Sequence, residues 1–200
     1  MDYSPNHEAR NRKRAELISD CQEILGPELS MHAEQAIDSF CSMSPPLDPP
    51  IVIEMITLSS AGRRGGQTRK PGNIILNWRN LLRESPDLVL TGAGVATTPW
   101  LIPLAALSIF NKLWTNSKID LTREHASCLF AMWQHCNDDH KLATNLALAE
   151  CQELFKVFGW PPLNAAQFSA ILHDLVELQC IELPDQATIW MRERVKTQYS

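Results

Sequence analysis

The sequence predicts a mainly helical α+β protein, with a helical N-terminal domain over residues 1–117 and a compact C-terminal domain over 118–200 that closes with a short β-hairpin. Three observations predict it. Apolar residues recur at helical spacing through most of the chain, Ala126, Leu129, Phe130 and Trp133 forming one such face. Helix-start and helix-stop residues bracket these faces, as Asn164 with Gln167 does at one start and Gly159 at one stop. Near the C-terminus two alternating segments, 180–183 and 188–191, flank the turn residues Pro184-Asp185-Gln186-Ala187. At 200 residues, 44% hydrophobic and 20% charged, the chain suffices for one large domain or two small ones with their own cores.

In the N-terminal part, Leu17, Cys21, Ile24 and Leu25 make an apolar stripe that starts near Glu8 and stops at Gly26-Pro27. Ala33, Ala36, Ile37, Phe40 and Cys41 make a second, so the two helices are expected to pair as a hairpin. The proline-rich run 44–50 then breaks the chain, because a residue before proline is pushed out of helical geometry. Residues 51–58 read equally as a buried strand or a short core helix. Ile74, Trp78, Leu81 and Leu82 predict a helix closed by Ser85-Pro86, and Thr98 with Pro99 opens another that reaches Trp114. Residues 88–111 carry no charge, but Gly92, Gly94, Pro99 and Pro103 interrupt them, so a buried helix is expected rather than a membrane span. Gly92-Ala-Gly94 lacks the third glycine of a dinucleotide fingerprint.

In the C-terminal part a first helix follows Thr122 as its cap, with Glu124 near the positive end of the helix dipole. The polar run 137–140 interrupts the pattern. A second helix covers 144–158, Gly159 stops it, and Trp160-Pro161-Pro162 makes the turn. A third helix follows Asn164, runs to about Gln179 and turns Phe168, Ile171, Leu172, Leu175 and Val176 inward. Three helices and a hairpin in this order, over about 119–196, resemble the winged helix-turn-helix superfamily. No family is identified for 1–117.

The resemblance implies either DNA reading or protein docking, and the third helix separates the two. In DNA-binding members that helix enters the major groove, where its outer face needs donors and positive charge. Here Asn164, Gln167, Ser169 and His173 are polar, Asp174 and Glu177 are anionic, and no Lys or Arg occurs between 164 and 179. Asp185 at the hairpin turn adds a further negative charge. Non-specific DNA affinity comes almost wholly from counterion displacement by Lys and Arg, so this face is expected to meet protein. The reading is a non-catalytic adaptor or regulatory subunit that docks a protein partner or a second copy, with Trp100, Trp160 and Trp190 as exposed anchors. The alternative is a DNA-binding regulator holding phosphates through Arg192, Arg194 and Lys196 and through the basic glycine-rich loop 62–72, which carries Arg63, Arg64, Arg69 and Lys70. Such a loop is expected to be extended and mobile, and the cations after the last hairpin strand to form a solvated end.

Other function classes find less support. His125, Cys128, His135, Cys136, Asp138, Asp139 and His140 are metal-competent, but their spacing matches no zinc pattern, and capping and core-filling roles account for them. No nucleophile elbow, framed carboxylate pair or cofactor fingerprint occurs, so neither catalysis nor a metal or cofactor is expected. The six cysteines are scattered, without a C-x-x-C pair, and are expected as reduced, buried thiols. The N-terminal Arg10, Arg12, Lys13 and Arg14 lead into an amphipathic helix, not a signal peptide, so the cytoplasm is the expected location. A net charge of -5 argues against bulk coating of nucleic acid.

Overall fold

The computed structural model describes residues 3–27, 30–49, 69–84, 100–113 and 119–200. A two-residue strand β1 (Ser4–Pro5) leads into helix α1 (His7–Leu25), which Asn6 caps by accepting from the Ala9 N–H at 2.8 Å. Helix α2 (Ala33–Phe40) packs beside α1, and the Arg14 guanidinium bridges the pair by donating to Asp38 at 2.6 Å and Glu34 at 2.9 Å. This is the expected helical hairpin. The Gly26 backbone, with φ 73°, takes the left-handed turn that ends α1.

Beyond α2 the chain turns to strand where more helix or an irregular break was expected. Cys41 is not the last residue of the helix; it opens strand β2 (Cys41–Ser44), followed by β3 (Leu47–Asp48), which pairs with β1. Strand β4 (Gly72–Asn77) replaces the helix expected from Ile74 onward, and a helical turn, Asn80–Glu84, begins only after it. The reason lies in the spacing: Ile74 and Trp78, four apart, satisfy a helical face and an alternating strand face alike. The β-branched Ile74-Ile75 and the alternation of burial along the strand decide for β.

β4 is the middle of a three-stranded antiparallel sheet of order β2-β4-β8, in which β8 (Arg194–Tyr199) comes from the far end of the chain. Arg194 and Lys196 are therefore rungs of a ladder, not a solvated tail: Val195 between them is buried and Leu76 lies opposite it. The strand forms because every second residue reaches the core while the cations face water. β8 thus bridges the division expected at 117/118, and one continuous core joins Leu17, Ile37, Leu76, Trp78 and Phe110 to Leu129, Trp133 and Leu175. Trp78 sits between Phe40, stacked at 6.4 Å, and Phe110, edge-on at 6.1 Å.

Helix α3 (Leu101–Leu113) lies buried, within the helix expected from Thr98 to Trp114; its start and end, like residues 51–58, fall outside the described residues. No helix among the described residues is long and apolar enough to cross a membrane. Helix α4 (Arg123–His135), strand β5 (Lys141–Ala143), helices α5 (Thr144–Val157) and α6 (Ala165–Glu177), and strands β6 (Ile181–Glu182) and β7 (Thr188–Met191) complete the chain up to β8. The strands form a second sheet of order β5-β7-β6, of which β5 was not foreseen. The helix bounds follow the caps: Gly159 has φ 67°, and Asn164 and Gln167 each accept the other's backbone N–H, at 2.9 and 3.1 Å.

Gly72 is where β2 and β8 close most tightly on β4. A Cβ there would stand 2.5 Å from the Ser44 carbonyl oxygen and 2.8 Å from the Pro46 nitrogen. Gly72→Ala is expected to cost about 1–3 kcal/mol, since backbone has to move, and Leu76→Ala about 2–5 kcal/mol from cavity formation. Urea denaturation checks both, and two neutral results contradict the packing described for β4.

Candidate functional site

Helix α6 is held from behind and exposed in front. Phe168, Ile171, Leu172 and Leu175 are buried on its inner side, whereas Ala166, Ser169, Ala170, His173 and Glu177 face water. Its orientation relative to α4 is set by His125, buried at the start of that helix, whose Nε2 lies 2.9 Å from Asp174 Oδ2. His125 Nδ1 accepts from the Thr122 N–H at 3.2 Å and lies 3.0 Å from the Thr122 hydroxyl. With Nδ1 accepting, the ring proton sits on Nε2 and is donated to the carboxylate. Asp174 is consequently not the free solvent-facing charge that the sequence implied; Glu177 and Asp185 are.

A groove of about 670 Å³ runs between α6, the first turns of α5 and the hairpin turn. Phe168 and Leu172 make its floor, Leu148 one wall, and Leu183, 43% exposed, its rim. The wall of α5 is tied to the hairpin by Thr144, whose N–H donates to the Ala187 carbonyl at 2.8 Å and whose hydroxyl donates to the Gln186 carbonyl at 3.2 Å. Asp185 is the only charged residue of the lining, and its Oδ1 accepts from the Ala187 N–H at 2.7 Å. On the other flank of α6 a second cleft, about 340 Å³, is lined by Trp160, Pro161, Pro162 and Ile171 together with the charged Arg123 and Glu124. Trp160 is half-buried instead of exposed: it packs on Phe155 at 5.2 Å, Phe158 at 4.9 Å and Trp100 at 5.9 Å, and Arg123 covers its ring at 4.3 Å. Of the three expected anchors only Trp190, 43% exposed, is open to solvent.

Several of the expected phosphate-binding cations have local partners. Arg63 and Arg64 lie outside the described residues. Arg69 pairs with Asp48 at 2.9 Å, while Lys70 is bridged through its backbone to Leu47 and covers the Tyr3 ring at 4.3 Å, so this end of the basic loop is fastened down. Arg192 pairs with Glu182, and Arg194 approaches Glu193 at 3.4 Å. Lys196 remains exposed on β8. Of the polar residues of the third helix, Asn164 and Gln167 use their side-chain oxygens on the α6 cap; Ser169 lines the groove, and His173 is exposed.

The metal-competent run disperses. His125 turns to Asp174, His135 to Glu150 at 3.3 Å and His140 to Glu193 at 3.7 Å, while Cys151 donates to the Cys128 carbonyl at 3.9 Å. Among the described residues no three His, Cys, Asp or Glu side chains converge. Burial pushes the Cys21 and Cys41 thiols up to about 12 and raises Cys136 and Cys180, and Cys128 is raised by its hydrogen bond to Cys151 and by burial. Such thiols hold their protons at neutral pH and are poor nucleophiles and poor ligands. What the sequence did not disclose is the groove, because Thr144, Leu148, Phe168 and Leu183 belong to three elements that only the fold assembles.

Comparison with protein-family models, with curated proteins and with solved structures finds no match.

The thiol environment has a direct readout. At pH 7 to 8 the native protein is expected to react slowly with Ellman's reagent, the partly exposed Cys41 first, and to release all six equivalents only in denaturant. Rapid reaction of Cys21, Cys128, Cys151 or Cys180 in the native protein contradicts their burial.

Proposed function

We propose that this protein is a non-catalytic docking or regulatory subunit that presents α6 and the adjoining hairpin to a protein partner. The observation that carries the reading is the outer face of α6, which combines small and anionic side chains, has no cation of its own, and lies between an apolar groove and a second cleft in which Arg123 and Glu124 join the apolar lining. Small residues allow a partner's backbone to approach, and the clefts offer the desolvated pockets in which interface anchors concentrate binding energy. The order helix, strand, helix, helix, hairpin, together with the sheet order β5-β7-β6, supports the winged-helix reading of 119–196.

The nucleic-acid reading asks this face to do what its charge opposes. A duplex approaching α6 meets Glu177 and Asp185 without a lysine or arginine on the helix, and phosphate contacts supply essentially all non-specific affinity. Of the cations expected to hold phosphate, Arg69 pairs with Asp48 and Arg192 with Glu182. Leu183 and Trp190, each 43% exposed beside these elements, are apolar surface that a docked partner would cover.

Fluorescence titration against mixed-sequence duplex and single-stranded DNA, at low and at physiological salt, tests the choice. No binding is expected at physiological salt. Tight, salt-sensitive binding that is lost in an Arg63→Ala, Arg64→Ala double variant establishes the DNA-binding regulator in its place.

A further inference from the structure

The groove beside α6 has a chemistry that narrows the partner. It follows α6 from Ala165 to Leu172, a length of roughly 10 Å at the helical rise, which takes two or three side chains of a bound segment. Floor and wall are Phe168, Leu172 and Leu148, so those side chains are apolar. Thr144, Asn145 and Ser169 are neutral hydrogen-bonding groups suited to peptide N–H and C=O. One charge, Asp185, stands at the hairpin end, and its backbone hydrogen bond fixes where it points. It makes no ion pair among the described residues, and the exposed face of α6 adds Glu177 but no cation.

From this charge pattern we infer that the groove between α5, α6 and the hairpin receives a polypeptide segment with two or three apolar side chains flanked by lysine or arginine, the basic group meeting Asp185. The inference rests on the docking reading above and specifies its partner. Electrostatic complementarity selects the basic flank: an acidic segment brings like charge against Asp185, and no cation lines the groove to offset it. The volume falls within the span of small-ligand pockets, about 300–1,000 Å³. An apolar small molecule filling it nevertheless leaves Asp185 without a counter-charge and the exposed ridge of Ala166, Ser169 and His173 uncovered. A polypeptide laid along α6 covers that ridge, fills the groove and answers the acid in one binding mode.

Selection of a random linear peptide library on the full-length protein tests this. Enriched sequences are expected to combine apolar anchors with an excess of Lys and Arg. A fluorescein-labelled selected peptide is expected to lose about tenfold or more in affinity on Leu183→Glu, and about threefold on Asp185→Asn, which keeps the turn hydrogen bond but removes the charge. Leu183 and Asp185 are exposed, so both variants are expected to keep the parent's thermal transition; Ser169→Arg, also at an exposed position, blocks the groove independently and is expected to abolish binding. Selected peptides without basic excess, or ones that bind Leu183→Glu and Ser169→Arg as tightly as the parent, overturn the inference while docking at another face stands. A library that yields no binder overturns it too, and the DNA titration then decides whether the docking reading falls with it.

Discussion

The pairing of β8 with β4 is the constraint on which the rest of the molecule depends. β4 lies between partners drawn from opposite ends of the chain, and its inner face carries Ile74 and Leu76 into the same core as Leu17, Ile37 and Phe110. The ladder is extended past its end by the Trp78 N–H, which donates to the Glu193 carbonyl at 2.9 Å. Beyond its other end Tyr199 donates its hydroxyl to the Ser44 carbonyl at 3.0 Å, across 155 residues of sequence. Only Arg192 and Glu193 separate β7 from β8, so the hairpin is tied directly to the β2-β4-β8 sheet, and its own ladder is continued by the Arg192 N–H, which donates to the Cys180 carbonyl at 2.9 Å.

That anchoring bears on how α6 can work. The helix is fixed at its start by the Asn164–Gln167 cap, in its second half by the His125–Asp174 hydrogen bond, and along its inner face by the core. Beside it the hairpin turn is tied to α5 by two Thr144 hydrogen bonds. A surface held on rigid elements gives up little conformational entropy when a partner binds, so modest contacts suffice for useful affinity. Holding the surface this way also spends the very groups, Asn164, Gln167 and Asp174, that a linear reading assigns to recognition.

Legibility in the sequence followed the range of the interactions involved. Helices were readable because their caps and apolar stripes are local: Thr122, Gly159 and Asn164 mark ends that the structure reproduces, and α5 was read from Thr144 to one residue past its last. Strands were not. Ile74 and Trp78 obey two periodicities at once, and β8 alternates Arg194, Val195 and Lys196 so that its charges disguise a strand as a tail. The partner that stabilises each is remote in sequence, and no local pattern encodes it. The same holds at the candidate site, where the missing cations of α6 could be read directly, whereas the groove, the ion pairs of Arg69 and Arg192 and the hydrogen bond from His125 to Asp174 arise only from tertiary proximity.

The long reach of β8 also sets where folding costs most entropy. Closing a sheet between residues so distant in the chain requires the loop entropy to be met before any rung of the ladder repays it, whereas α4, β5, α5, α6 and the hairpin are near neighbours in sequence. The C-terminal helices and hairpin therefore close their contacts at the lower entropic cost, and β8, whose only strand partner among the described residues is β4, carries the highest.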